Sequence, residues 1–183
     1  MQSSNEASDD APAMNVSRVR VRMYHTDLVG GAFHGRYFDL FEEARTEAFR
    51  RAGFHWRMTH ADGVAFVVTA CGCDFFRPTA MDDELAIAVY VTRLSKARCR
   101  VVYEVRCVDQ EPLLARGYTD FAFWDTGRSR LTAVPASVRD AVLRCIGMYR
   151  PDLDERKSGP ARQGAAGSDP VAGVDERSTS ARA

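Results

Sequence analysis

Tyr24-His25-Thr26-Asp27-Leu28-Val29-Gly30-Gly31-Ala32-Phe33-His34-Gly35-Arg36-Tyr37, running on to Phe41-Glu42-Glu43-Ala44-Arg45-Thr46-Glu47, is the stretch that decides how this chain folds. A carboxylate, Asp27, stands just past a strand, a loop rich in glycine follows, and a helix then begins. Helix N-termini present unpaired N–H groups and a partial positive charge. A carbonyl aimed at such a terminus has its developing oxyanion stabilised, and a nearby aspartate serves as nucleophile or base. Acyl transfer needs those two elements, and a single oxyanion donor is worth roughly 2.7–4 kcal/mol of barrier. Taken alone, an aspartate between strand and helix is more often a turn or capping residue.

Outward from this segment the pattern is regular. On the N-terminal side Ser17–Met23 alternates, with Val19, Val21 and Met23 on one face and Arg18, Arg20 and Arg22 on the other, which predicts a half-buried strand. On the C-terminal side Tyr37–Ala52 carries Tyr37, Leu40, Phe41, Ala44 and Ala48 at helical spacing, with Arg50 and Arg51 at its end and Gly53 as C′ residue. Strands are predicted at Ala65–Phe76, Glu84–Leu94, Arg98–Val108 and Leu113–Trp124. Met81-Asp82-Asp83, Ser95-Lys96-Ala97 and Asp109-Gln110-Glu111-Pro112 mark the turns. A short helix is predicted from Pro135 to about Met148. Long strands joined by tight turns, with one long helix to cover them, define an α+β arrangement with an antiparallel sheet. Its uncovered surface and edges call for a second copy of the chain.

At 183 residues the chain supports one well-buried core. Its 25 basic and 25 acidic side chains cancel, so no net field favours nucleic acid. Met1–Pro12 is polar and acidic and lacks a secretory pattern, and no stretch is long and apolar enough to span a bilayer. Five cysteines without metal-like pairing fit a reduced, cytoplasmic setting. Residues 1–14 and 150–183 offer almost nothing to bury and are expected to be disordered, leaving 15–149 as the folded domain.

The order of Tyr24, Thr26, Asp27, Gly30, His34, Tyr37, Glu43, Ala44 and Arg45 resembles the signature of the 4-hydroxybenzoyl-CoA thioesterase-like (YbgC-type) acyl-CoA thioesterases of the hotdog superfamily. Val64–Val68, Phe75-Phe76-Arg77-Pro78 and Asp82-Asp83 add to the likeness, which spans roughly Val16 to Met148. The resemblance implies a hotdog fold, an antiparallel sheet wrapped around one long central helix. It implies hydrolysis of an acyl-CoA to free acid and coenzyme A, with no metal or organic cofactor, by a homodimer or homotetramer. Asp27 takes the place of the essential carboxylate, attacking the thioester or activating water. Backbone N–H groups at His34 and Gly35 would hold the thioester oxygen, with the His34 imidazole shaping the pocket and Tyr37 beside the substrate. Phe66, Val67 and Val68 would line the acyl pocket from a partner subunit. Many relatives carry a bulkier aliphatic where this chain has Ala32, a departure that bears on the acyl group accepted.

Other polar residues read more plainly. His25 is expected to be exposed at the strand end, and His55 and His60 lack metal-ligand spacing. Cys71 and Cys73 share a strand face but have no second ligand pair, and nothing in the sequence activates a cysteine nucleophile. Arg77, Arg98 and Arg100 are the candidates for coenzyme A phosphates. Two rival functions remain beside the acyl-CoA thioesterase: hydrolysis of a carrier-protein thioester, and non-catalytic sensing of acyl-CoA. A hotdog dehydratase is disfavoured, because its His and acid pattern is not evident.

Overall fold

Leu85, Ile87, Val89 and Val91 alternate along one strand, and all four are fully buried on the same face. The computed structural model, which describes residues 15–55, 63–108, 110 and 112–144, builds its sheet from such strands. In chain order the elements are β1 (Val16–Arg20), a 3-10 turn (Met23–His25), α1 (Arg36–Arg51), β2 (Val64–Phe75), β3 (Glu84–Leu94), β4 (Arg98–Cys107), β5 (Leu113–Asp125), β6 (Arg130–Leu131) and α2 (Ala136–Arg144). The sheet runs β1-β3-β4-β5-β2, every pairing is antiparallel, and β6 joins β5. Strands β1 and β2 are therefore its edges. This is the α+β arrangement that the sequence predicts.

The long helix α1 buries Tyr37, Leu40, Phe41, Ala44, Ala48 and Phe49 in the same core as the inward residues of β3, β4 and β5. Each large side chain buried in this way contributes about 1.5–3 kcal/mol. At the centre, Phe41 stacks on Tyr103 with 4.4 Å between ring centroids and 4° between planes. Gly117, the cross-strand partner of Tyr103, makes room for that ring, since a Cβ at 117 would overlap it. The helix closes as its sequence predicts. Gly53 takes φ +81°, its N–H donates to Arg50 O at 3.0 Å, and the Phe54 N–H donates to Phe49 O at 2.9 Å. Arg51 Nη1 ties the helix end to the Val16 carbonyl at 2.8 Å.

Two local readings need correction. The first strand stops at Arg20, and Met23 is 75% exposed rather than facing the core with Val19 and Val21. The chain turns at Arg22, so the alternation ends before Met23 although its pattern continues in the sequence. Strand β6 escaped the sequence reading because two residues carry no periodic signal. Helix α2 begins just after Pro135, and Val138 and Ala141 join the core. The expected disorder at 1–14 and 150–183, the end of the final helix near Met148, His60 and Cys145 lie outside the described residues.

Candidate active site

Between β1 and α1 the chain must reverse, and backbone bonds fix how. The His25 N–H donates to the Arg22 carbonyl at 2.8 Å, while the Arg22 N–H donates to His25 Nδ1 at 3.0 Å. Thr26 sends both its N–H (3.0 Å) and its hydroxyl (2.7 Å) to the Met23 carbonyl. The loop then closes on itself. The Asp27 N–H donates to Gly31 O at 3.0 Å, the Gly30 N–H to Asp27 O at 3.1 Å, and Thr26 bridges to Ala32. Gly30 sits at φ +82°, where a side chain is strained. Gly31 is constrained differently, because a Cβ there would lie 2.9 Å from the Thr79 carbonyl oxygen. Thr79 also accepts the Ala32 N–H on its Oγ1 at 3.0 Å.

The result is an exposed Asp27 whose carboxylate is aimed by its own turn. Oδ1 accepts the Val29 N–H at 3.0 Å, and the second oxygen has no partner among the described residues. A cleft of about 390 Å³ contains Asp27, Ala32, His34 and Tyr37, walled by Phe75, Phe76, Arg77, Pro78 and Thr79. Helix α1 starts at this cleft. Its N-cap is Gly35, which has no side chain to bond the first turn. The N–H groups of Arg36, Tyr37 and Phe38 reach the carbonyls of Phe33, His34 and Gly35, whereas those of His34 and Gly35 have no acceptor among the described residues. Tyr37 is buried and packs edge-on against Phe75 at 5.0 Å, on the wall that Thr79 shares. Burial pushes its phenol above the ordinary tyrosine value, with the Thr79 side chain acting in the opposite direction. A free carboxylate oxygen, open helix N–H groups and an aromatic wall together suit attack on an activated carbonyl.

Of the predicted site residues, Asp27, His34 and Tyr37 share this cleft, with Gly35 next to His34 at the helix start. Phe66, Val67 and Val68 are elsewhere in the single chain, on the edge strand β2. There Phe66 stacks on Phe121 at 4.1 Å, and Val67 and Val68 are exposed. His25 corrects the reading of an exposed strand-end residue, because it is buried and hydrogen-bonded. The candidates for phosphate binding separate as well. Arg100 holds Asp120 through Nε at 2.6 Å and Nη2 at 2.7 Å and lies over the Tyr118 ring, whereas Arg77 is exposed at the cleft. Thr79 went unnoticed, since nothing in the sequence marks a threonine 47 residues beyond Ala32 as its partner. Burial raises the Cys73 thiol to about 12, which removes it as a nucleophile. Among the described residues no cluster of three His, Cys, Asp or Glu is placed to hold a metal.

An antiparallel sheet on one long helix, with a carboxylate beside the helix start, defines an α+β architecture, and comparison with known proteins makes it particular. The family model described as "Thioesterase-like superfamily" matches residues 21–142. The acyl-CoA thioesterase YbgC of Haemophilus influenzae is 30% identical over 124 residues, covering 67% of this chain and 90% of that protein. A crystal structure of a hypothetical protein from Thermus thermophilus superposes with a TM-score of 0.65 at 27% identity, covering 72% of this chain and 98% of that one. A 1,4-dihydroxy-2-naphthoyl-CoA thioesterase from Synechocystis has the same fold, with a TM-score of 0.66 at 20% identity over 70% of this chain and 94% of that one. The chain belongs to the thioesterase-like superfamily. It has the hotdog fold and is a thioester hydrolase.

Proposed function

We propose that this protein hydrolyses an acyl-CoA thioester to the free acid and coenzyme A, with Asp27 as the essential carboxylate. The observation that carries this reading is the shared cleft. Asp27 offers one unengaged oxygen there, and the N–H groups of His34 and Gly35 stand without acceptors at the start of α1. The thioester oxygen accepts from those N–H groups, which stabilise it most as negative charge develops. Asp27 then either attacks the carbonyl carbon or takes a proton from an attacking water. In the first route the C–S bond breaks, coenzyme A leaves as thiolate and is protonated by water, and the acyl–aspartyl anhydride is hydrolysed. In the second, water adds directly and Asp27 returns its proton to the leaving thiolate. Tyr37 and Phe75 pack along the acyl group, His34 shapes the cleft, and Arg77 offers its charge to a phosphate of coenzyme A.

The acyl pocket is completed by a second copy in this reading. Strand β2 is a 12-residue edge with exposed Val67 and Val68, and an unpaired edge of that length favours pairing with a partner. Phe66, Val67 and Val68 of one protomer then border the acyl group held by the other, in a homodimer or a tetramer built from it. The test is thiol release from a panel of aromatic and aliphatic acyl-CoAs, run against the same acyl groups on an acyl carrier protein. Faster turnover of the coenzyme A esters supports the reading. Turnover of carrier-bound esters alone moves the activity to a carrier-protein thioesterase. Intact thioester recovered bound to the protein, with no turnover, identifies a sensor.

A further inference from the structure

We infer that His25 is the positioning residue for Asp27, acting through the hydrogen bond that its Nδ1 accepts from the Arg22 N–H. The inference rests on the proposed role of Asp27 and adds a residue and a proton dependence to it. The His25 imidazole is buried, and its Nδ1 lies 3.0 Å from a backbone donor. A nitrogen that accepts a hydrogen bond must present a lone pair, so this bond requires the ring proton to sit on Nε2. The same residue holds the turn from both backbone ends. Its N–H donates to Arg22 O and its carbonyl accepts the Phe33 N–H, each at 2.8 Å. His25 thus joins the end of β1 to the segment that enters α1, and Asp27 is two residues further on. The opposite side of the loop is fixed independently by Thr79, through the Ala32 N–H and the close approach to Gly31. Loss of the bond to Nδ1 therefore removes one of the ties that set where the turn, and Asp27 with it, stands against the Thr79 side.

Protonation of Nδ1 sets two donors against each other and breaks that bond. The surrounding charges do not compensate for it. On its own segment His25 has Arg22, the edge-on Tyr24 ring at 4.2 Å, and Asp27. The facing turn before β3 brings Asp82 and Asp83, which pair with Val21 through their backbones, while Arg20 is engaged by the Asp82 carbonyl and Glu84. His34 lines the cleft beyond Phe33. Among the described residues no carboxylate forms an ion pair with His25. A proton taken up there breaks a bond and gains no counterion.

The experiment measures kcat and KM on the full chain from about pH 5 to 8.5 for wild type, His25→Asn and His25→Leu, with Asp27→Asn alongside. The ring nitrogens of His25 are read by NMR at neutral pH. Asparagine places an oxygen acceptor close to the Nδ1 position and does not titrate. His25→Asn is expected to keep kcat within about threefold of wild type at pH 8 and to lose the part of the acid decline that His25 causes. His25→Leu is expected to lose about 10- to 100-fold in kcat at every pH, with KM little changed. The NMR result expected is the Nε2–H tautomer. A protonated Nδ1 at neutral pH, identical pH profiles for wild type and His25→Asn, or full kcat in His25→Leu would overturn the inference. If His25→Leu fails to fold, the asparagine profile and the tautomer still decide. Retained activity in Asp27→Asn overturns the catalytic reading alone, since the NMR readout reports the Arg22–His25 bond whatever group carries the chemistry.

Discussion

Gly30 and Gly31 are neighbours in the sequence and hold the Asp27 loop for different physical reasons. At Gly30 the backbone angle makes the demand, and a Cβ there would meet open space. At Gly31 the demand is contact, with a Cβ 2.9 Å from the Thr79 carbonyl oxygen. Gly31→Ala is therefore expected to push the loop away from Thr79 and lower kcat by about tenfold or more, at a stability cost of about 1–3 kcal/mol. Steady-state kinetics beside denaturant unfolding checks this, and an unchanged kcat would show that the loop can shift without moving Asp27. Much of this scale was legible in the sequence. The order Asp27, Gly30, His34, Tyr37 lies within one short segment and carries its own turn chemistry. Thr79 was not legible, because its contact with Ala32 exists only once β2 and β3 have folded back beside the loop. His25 was misread for a related reason. Strand alternation places a residue on a face, but a turn that closes on its own imidazole is not periodic.

The central helix and its sheet are joined where Phe41 enters the space over Gly117. Alanine at 117 would gain strand propensity of roughly 0.5–1 kcal/mol but must displace a stacked ring. The overlap wins, so Gly117→Ala is expected to destabilise by about 1–3 kcal/mol in urea unfolding, and adding Phe41→Leu should restore part of the loss. At the helix end, Arg50 and Arg51 hydrogen-bond Glu47 and hold its carboxyl down, from 4.5 to about 2. A depressed carboxylate stabilises the fold at pH values above its unfolded value, and that contribution is lost as pH falls from 4.5 toward 2. Thermal unfolding of Glu47→Gln is expected to show a shallower decline than wild type across that window, and parallel curves would contradict the assignment. Strand and helix placement was largely legible here, since faces such as Leu85, Ile87, Val89 and Val91 repeat at the strand period. The end of β1 was not, because nothing in Met23 itself signals that the chain has already turned.

Across the whole molecule the asymmetry of the sheet matters most. One edge, β1, is partly covered where Arg51 of α1 bonds the Val16 carbonyl. The other, β2, is long and presents Val67 and Val68 to solvent. Isolated edges of that kind invite self-association, and the proposed acyl pocket draws on the same strand. Val68→Lys is expected to turn a dimer or tetramer into monomer in sedimentation velocity and to lower thioesterase activity in step. A wild-type monomer with full activity would remove the second copy from the site. The balance of one long helix against four long strands raises the expectation of a partner. The particular strand left open was not legible, because strand order depends on pairings between distant residues.

The proposed reaction centres on the carboxylate at position 27, and the sharpest check on it is thiol release by wild type and Asp27→Asn on the same acyl-CoA. The amide keeps the size and the bond from the Val29 N–H but is neither nucleophile nor base. In Asp27→Asn kcat is expected to fall by about 10²–10⁴-fold while KM stays near the wild-type value and the unfolding curve is unchanged. Comparable turnover by the two proteins would contradict it and assign the chemistry to another group in the cleft.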